Sequence, residues 1–313
     1  MRKAFAIDID GVVLRGSKII QGASESIRKL ENNKIPYIFI TNGGGVSEKD
    51  KAADLSAKLN TTIHEDQILL SHTPYRSLVN NFKEEKVLIL GKKNCFSVAK
   101  EYGFNNIIDA NSIFLSDPRV LPNRQLDKKG KPIENIHENV KAAMIFHDPV
   151  DWTLEIQVLC DILAPIQSDD NQHCQPIPFY SCNADILYTT EHPLPRFTQG
   201  AFVTALKHLY KIVNNQELKV TSFGKPFKVQ YQYAERMLMQ QSERLGLPPP
   251  LIYYGVGDNP LSDIKGANEA GPMWKSVLVR TGIFNSLDNN DKINPADYVL
   301  DNLEQSINFI LGK

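Results

Sequence analysis

The sequence predicts an α/β protein built on a parallel sheet, with a second α/β domain inserted into the first. Apolar runs without alternation, such as residues 5–7 and 251–257, are typical of strands buried on both faces. Helical patterns separate these runs along the chain, which is the order of βαβ units. A middle block with strand and helix patterns of its own is bracketed by the two halves of this larger pattern, which indicates an insertion.

The length of 313 residues exceeds that of most single cores and predicts two domains. We expect residues 1–82 and 198–313 to form the core domain and residues 83–197 to form the inserted domain. Hydrophobic residues make up 42% of the chain and charged residues 23%, as in ordinary globular proteins.

Charge and cysteine usage exclude several classes of protein. A formal net charge of −1 gives a nucleic-acid partner no electrostatic support. No apolar run approaches the roughly 20 residues that a membrane span requires. The four cysteines show no CxxC spacing and indicate reduced thiols rather than a zinc site. The first strand begins within about four residues of Met1, so we expect no presequence inside this numbering, which favours a cytoplasmic location; a presequence removed before Met1 is the alternative.

The first strand ends in two acids separated by one residue, Asp8 and Asp10. In an extended strand both side chains point to the same side, with Ile9 turned into the packing between them. Ligands bind at the carboxyl ends of parallel strands, so we expect this pair at the mouth of a site. Neighbouring carboxylates repel each other unless a cation holds them or one keeps a proton. A solvated acidic turn is the alternative that this stretch alone leaves open.

The second strand, residues 35–40, follows a helical pattern and ends in Thr41, Asn42 and three glycines. Glycines after a strand let backbone N–H groups approach an anion closely. The next helix begins near Ser47 and would point its positive N-terminus at the same place.

The inserted block contains predicted strands at 87–90, 142–146 and 177–180 and a helix at 154–163. Its last strand leads to Asn183 and Asp185. We expect these two polar residues to line a substrate cleft, and a turn is the alternative role.

The larger pattern resumes with a helix over 201–210. A strand over 220–223 precedes Lys225, and after a further helix the apolar strand 251–257 ends at Asp258 and Asn259. Asp263 lies one helical turn further on, where it could instead serve only to favour the helix dipole.

These strand ends carry most of the polar chemistry of the chain. If the strands share one parallel sheet, the polar groups face one crevice. Carboxylate oxygens suit Mg²⁺, and one carboxylate can attack phosphorus while another transfers protons. A hydroxyl, a lysine and loop N–H groups can hold the phosphoryl oxygens.

Four motifs resemble, in order, those of the haloacid-dehalogenase-like (HAD) phosphatases. They are Asp8-Ile9-Asp10-Gly11-Val12, Thr41-Asn42-Gly43, Gly224-Lys225-Pro226 and Gly257-Asp258-Asn259-Pro260-Leu261-Ser262-Asp263-Ile264. The insertion between the second and third motifs is similar to the α/β cap, called C2, of the nitrophenylphosphatase-type branch, class IIA, on a Rossmann-like core. The stretches 71–75, 148–152 and 195–202 resemble the cat-eye-syndrome critical region protein subgroup.

The resemblance implies that Asp8 is the nucleophile and Asp10 the general acid and base. Asp8, the backbone carbonyl of Asp10 and Asp258 would hold Mg²⁺. Asp263 and Asn259 would lie beyond these ligands, with Asp263 orienting a metal-bound water. Many class IIA phosphatases have a basic residue at the position of Asn259, so substrate preference and turnover could differ here.

The same resemblance assigns Thr41, Asn42, Gly43 and Lys225 to phosphate binding. The predicted function is therefore a Mg²⁺-dependent phosphatase that hydrolyses a small phosphorylated metabolite through an aspartyl-phosphate. The resemblance also implies a homodimer through the caps and a mitochondrial location, against the cytoplasmic reading of the N-terminus.

Three alternatives remain. A binding or regulatory protein on this fold would have little need of paired acids and a metal. A dinucleotide-binding dehydrogenase would need a glycine where Pro260 stands. A phospho-acceptor receiver domain would be much shorter than this chain.

Overall fold

A computed structural model describes residues 2–92, 94–124, 138–167, 173–188, 192, 194–284 and 289–312. It confirms the predicted α/β fold class with a parallel-sheet core. The chain forms two compact units. Unit 1 comprises Met1–Pro74, Ala184–Phe197 and Phe223–Lys313, and unit 2 comprises Tyr75–Asn183 and Thr198–Ser222.

The strands are numbered along the chain. They are β1 (Lys3–Ile7), β2 (Leu14–Arg15), β3 (Lys18–Ile19), β4 (Tyr37–Ile40), β5 (Ile68–Leu69), β6 (Lys86–Leu90), β7 (Asn106–Ile108), β8 (Val140–Ile145), β9 (Ile166–Gln167), β10 (His173–Cys174), β11 (Phe179–Ser181), β12 (Leu187–Tyr188), β13 (Arg196–Phe197), β14 (Thr221–Ser222), β15 (Ile252–Gly257), β16 (Trp274–Val279) and β17 (Tyr298–Leu300).

The helices are numbered in the same way. They are α1 (Ala23–Asn32), α2 (Glu48–Leu59), α3 (Val79–Phe82), α4 (Asn94–Tyr102), α5 (Ala110–Ser116), α6 (Trp152–Ile162), α7 (Gln199–Asn214), α8 (Lys228–Arg244), α9 (Lys265–Ala270) and α10 (Leu303–Gly312). Short 3₁₀ turns occupy Glu65–Gln67, Thr73–Leu78 and Pro118–Val120, and a π turn occupies Pro260–Ile264. Of the helices in the described ranges, none combines the length and apolarity that a membrane span needs.

Unit 1 contains a six-stranded sheet in the order β17-β16-β15-β1-β4-β5, with every neighbouring pair parallel. Successive residues of β1 point to opposite faces. Phe5 and Ile7 pack in a cluster with apolar residues of α1 and α10, whereas Ala4 and Ala6 pack with residues of α8. Both faces of β1 are therefore buried, which is why its apolar run does not alternate.

The order of this sheet decides where the motifs meet. Ile7 at the end of β1 pairs with Val256 of β15 on one side and with Phe39 of β4 on the other. Because all three strands are parallel, the segments that follow them leave the sheet at one edge.

Unit 2 contains a five-stranded parallel sheet in the order β14-β11-β8-β6-β7. Its apolar core joins residues of β6 and β8 with the inner faces of α5, α6 and α7. Phe202, Val203, Leu206 and Tyr210 are the buried residues that α7 adds to this cluster.

The bounds of the compact units differ from the predicted domain bounds in three places. Helix α7 belongs to unit 2, because its apolar face packs into the core of that unit. Residues 75–82 also belong to unit 2, where the Tyr75 hydroxyl donates to the Ile145 carbonyl oxygen. The segment 184–197 belongs to unit 1. An amphipathic pattern shows that a helix has a buried face, but not which sheet that face meets.

Helix α6 in unit 2 begins with a reciprocal cap. The Asp151 carboxylate accepts a hydrogen bond from the Leu154 N–H, and the Asp151 N–H donates to Glu155 Oε2 at 2.8 Å. Burial of the Glu155 side chain, opposed by the bond from the Asp151 N–H, raises the pKa of its carboxyl to about 7.

Replacing Glu155 with glutamine is therefore expected to change how stability depends on pH. Because burial raises the pKa, the folded protein holds this proton more tightly than the unfolded chain. Stability from Glu155 is present below the unfolded pKa and is lost as pH rises through about 7. Glu155→Gln should be about 1–3 kcal/mol more stable than the wild type at pH 8, and similar to it at pH 4.5.

Urea unfolding at the two pH values measures this difference. Glu101→Gln, which changes an exposed acid of α4, is the matched control and should show no gain at pH 8. An equal pH response in the wild type and in Glu155→Gln would contradict the assignment.

Candidate active site

The carboxyl edge of the unit 1 sheet brings residues of all four motifs together. Asp8 follows β1, Thr41 and Asn42 follow β4, and Asp258 follows β15. Lys225 reaches the same place from the loop between β14 and α8, where it is only 2% exposed. Charged side chains are rarely this deeply buried unless they are paired.

Lys225 lies between two carboxylates. Its Nζ donates to Asp8 Oδ1 at 2.6 Å and to Asp263 Oδ1 at 2.6 Å, and lies 3.3 Å from the Ile40 carbonyl oxygen. Burial disfavours the ammonium cation, but Asp263 and Asp8 outweigh it and hold the pKa of Lys225 well above its usual range. The lysine is therefore a fixed positive charge beside Asp8.

Asp8, Asp258 and Asp263 form a buried cluster, with one oxygen of each within 4.8 Å of the others. Burial raises the pKa of Asp8 well above its usual range, although Lys225 opposes the shift. Burial, followed by the charge of Asp263, raises the pKa of Asp258 to about 7. Crowded acid oxygens of this kind suit a hard divalent cation, so the donor set fits Mg²⁺.

The cluster contains one acid, Asp263, that was not among the predicted metal ligands. The Asp10 side chain is exposed, and among the described residues the third carboxylate of the cluster is that of Asp263. This arrangement is compatible with a ligand role for the backbone carbonyl of Asp10 rather than for its carboxylate. The assignment of Asp263 beyond the ligands stays a prediction.

Asp258 is enclosed by backbone that has no room for side chains. Its Oδ2 accepts a hydrogen bond from the Ile283 N–H at 2.6 Å. A Cβ added to Gly282 would lie 1.8 Å from this oxygen, and one added to Gly11 would lie 2.3 Å from it. Gly11 also has a φ of +87°, which glycine adopts without strain. Sequence reasoning missed Gly282 and Ile283, because no motif marks the segment after β16.

Hydrogen bonds from two backbone N–H groups hold the glycine loop after β4. The Gly43 N–H donates to Thr41 Oγ1 at 2.9 Å, so the predicted phosphate-binding N–H of Gly43 is directed at the threonine. A hydroxyl that accepts one bond can still donate its own proton. The Gly45 N–H donates to Nε2 of fully buried His72 at 3.2 Å. The role of His72 was missed, because a histidine far along the chain carries no sequence signal for this contact.

Asn42 uses its side chain to hold the Lys225 backbone. Its Oδ1 accepts from the Lys225 N–H at 2.8 Å, and its Nδ2 donates to the Lys225 carbonyl oxygen at 3.0 Å. The second proton on Nδ2 goes to Asp185 Oδ2 at 2.9 Å. Both N–H groups of Asn42 Nδ2 therefore have partners within the protein. A hydrogen bond from Asn42 to phosphate would have to come from its backbone N–H.

The two residues predicted to line a cleft lie in different units. Asp185 belongs to unit 1, and its Oδ1 accepts from Asn259 Nδ2 at 3.4 Å. Asn183 belongs to unit 2, where its Nδ2 donates to Thr198 Oγ1 at 3.1 Å. Asn259 also donates its backbone N–H to Asp263 Oδ2 at 3.0 Å. Contact of either cleft residue with substrate stays a prediction.

Comparison with known proteins identifies the class. Residues 5–105 match the haloacid dehalogenase-like hydrolase family, and residues 222–306 match the HAD-hydrolase-like family. A mitochondrial hydrolase of Saccharomyces cerevisiae is 35% identical to this chain over 329 residues, which cover 95% of this chain and 92% of the relative. The chain therefore belongs to the haloacid dehalogenase-like hydrolases.

Two further similarities agree with this result. A cardiolipin synthase (CMP-forming)/mitochondrial hydrolase fusion protein of Schizosaccharomyces pombe is 35% identical over 325 residues, covering 99% of this chain and 53% of the fusion protein. The p-nitrophenyl phosphatase from Archaeoglobus fulgidus shares the fold, with a TM-score of 0.68 and 19% identity over 98% of this chain and 99% of its own. The predicted membership of the HAD-like hydrolases is confirmed, and the fold is also that of this p-nitrophenyl phosphatase.

Proposed function

We propose that this chain is a Mg²⁺-dependent phosphatase that hydrolyses a small phosphomonoester through an aspartyl-phosphate. The observation that carries the proposal is the position of Lys225 Nζ, 2.6 Å from Asp8 Oδ1 and 2.6 Å from Asp263 Oδ1, beside the third buried carboxylate, Asp258. Burying three crowded acids and a lysine is costly, because each charged group loses its hydration. A protein that only binds a partner has little physical need of such a cluster.

Asp8 is the proposed nucleophile. Lys225 holds its Oδ1, so Oδ2 is the oxygen that would attack phosphorus as the bond to the leaving oxygen breaks. The product is an acyl phosphate on Asp8 and an alcohol. Lys225 also provides fixed positive charge where negative charge builds on the phosphoryl oxygens.

Asp10 is the proposed proton carrier. It donates a proton to the leaving oxygen in the first step, and takes one from the water that hydrolyses the acyl phosphate in the second. Its exposed side chain allows exchange with solvent, and a Cβ added to Gly43 would lie 3.9 Å from Asp10 Oδ2, so Asp10 lies beside the glycine loop after β4. Each turnover thus restores both acids.

Thr41 and Lys225 are proposed to bind the phosphate through the hydroxyl and Nζ, with the Asn42 backbone N–H as a further donor. Bound Mg²⁺, held by Asp8, Asp258 and the backbone carbonyl of Asp10, would neutralise phosphoryl charge. Unit 2 is proposed as the cap domain that selects the leaving group. The name of the yeast relative supports a mitochondrial location for this chain, and cap pairing in a homodimer is kept as a proposal.

Removing the metal is expected to abolish phosphate release. With p-nitrophenyl phosphate and a panel of small phosphomonoesters, turnover should require Mg²⁺, stop in EDTA and return when Mg²⁺ is added in excess. Asp258→Asn should raise the Mg²⁺ concentration for half-maximal rate at least about tenfold, since it removes a charged ligand.

Asp54→Asn, at an exposed acid of α2 that pairs with Lys58, is the matched control and should behave as the wild type. Release that persists in EDTA would contradict the metal requirement. Absence of turnover on every substrate would favour the binding or regulatory alternative.

A further inference from the structure

Asp185 is an acid in an unfavourable place. The neighbouring site already contains the carboxylates of Asp8, Asp258 and Asp263, and it is proposed to bind a phosphate dianion. Burial raises the pKa of Asp185, while bonding from Asn42 and the charge of Lys225 act in the opposite direction. A further negative charge weakens anion binding, so its presence calls for a different role.

Both oxygens of this carboxylate accept hydrogen bonds from amide side chains of the motifs. Oδ2 accepts from Asn42 at 2.9 Å, and Oδ1 accepts from Asn259 at 3.4 Å. A carboxylate can accept at both oxygens, whereas an asparagine would present its own NH₂ to one of the two donors. The acid therefore specifies which way the Asn42 amide faces.

The direction of the Asn42 amide matters for Lys225. Asn42 Oδ1 accepts a hydrogen bond from the Lys225 N–H at 2.8 Å, and Asn42 Nδ2 donates one to the Lys225 carbonyl oxygen at 3.0 Å. A reversed amide would lose both bonds. These two bonds hold the backbone from which Lys225 Nζ reaches Asp8 and Asp263.

We propose that Asp185 is a positioning residue for Lys225 and that it acts through Asn42. The kinetic part of this inference rests on the proposed phosphatase function. Asp185 accepts a hydrogen bond from the Asn42 amide, and that amide in turn holds the backbone of Lys225. The segment Ala184–Phe197 joins two stretches of unit 2 but belongs to unit 1, and the Asp185 carboxylate connects the start of this segment to Asn42.

A double-mutant cycle tests whether Asp185 acts through Asn42. With p-nitrophenyl phosphate at saturating Mg²⁺, Asp185→Asn is expected to lower kcat about 10- to 100-fold. Asn42→Ala should lower kcat at least as much, and the double variant should match Asn42→Ala within about twofold. Asp109→Asn, at the acid that caps α5 in unit 2, should leave kcat unchanged. Independent, multiplicative losses would overturn the inference.

Hydrogen exchange at the Lys225 N–H provides a readout that needs no turnover. Labelling with 1-¹³C-glycine and ¹⁵N-lysine selects Gly–Lys pairs, which occur at 91–92, 130–131, 224–225 and 312–313. The Lys225 signal is expected to exchange at least about tenfold faster in Asp185→Asn, and the other three signals should be unchanged.

The two readouts separate the two claims. If the wild type hydrolyses no phosphomonoester, the proposed function fails, while faster exchange at Lys225 still supports the positioning role. If the wild type is active and Lys225 exchange is the same in Asp185→Asn, the positioning role is overturned and the function stands.

Discussion

Replacing Asp8 with asparagine is expected to reduce phosphate release at least about 10⁴-fold. The amide nitrogen and oxygen are poor nucleophiles, so no acyl phosphate can form on residue 8. The variant should still fold, because asparagine has the same shape and removes one of three crowded buried carboxylates. Single-turnover release from p-nitrophenyl phosphate, measured with circular dichroism on the same samples, separates lost chemistry from lost folding.

Asp54→Asn makes the same acid-to-amide change on the surface of α2 and should retain full activity. A covalent intermediate provides a second check, since rapid acid quenching should trap phosphate on the wild type and not on Asp8→Asn. Activity of Asp8→Asn within tenfold of the wild type would remove Asp8 as the nucleophile.

Replacing Lys225 with methionine is expected to cost about 3–5 kcal/mol of stability in EDTA, as well as abolishing turnover. The methionine fills the space of the lysine stem but leaves two buried carboxylate oxygens without their donor. The pKa of Lys225 is held well above its usual range, so its ammonium group stays charged across the neutral range of pH. Urea unfolding in EDTA measures the loss.

Two variants test this explanation. Adding Asp263→Asn to Lys225→Met should recover part of the lost stability, because it removes one of the stranded charges. Lys58→Met breaks an exposed pair with Asp54 and should cost less than about 1 kcal/mol. A loss for Lys225→Met no larger than that for Lys58→Met would show that the buried pair contributes little.

The sequence predicted the fold and the position of the motifs for a simple reason. Unbroken apolar runs such as that of β1 indicate strands buried on both faces, and parallel strands open their carboxyl ends at one edge. The acids Asp8 and Asp258 could therefore be expected to meet, although 250 positions separate them in the chain.

Other features depended on contacts that leave no local signal. The amphipathic pattern of α7 predicted a helix but could not show that Phe202 and Leu206 belong to the core of unit 2. Similarly, the exposed position of Asp10 and the burial of Asp263 follow from packing around the sheet edge, and both acids look alike in the sequence.

By itself, the sequence determined which chemical groups this protein has at its strand ends: carboxylates, a hydroxyl, an amide and a lysine. Only the tertiary structure decided which hydrogen-bond partner each of these groups has. Hydrogen bonds are directional, so the single orientation of Asn42 commits its side chain to Lys225 and Asp185 rather than to an anion. The fold buries acids that repel one another together with Lys225, which donates hydrogen bonds to two of them. The resulting group of carboxylate oxygens fits a divalent cation.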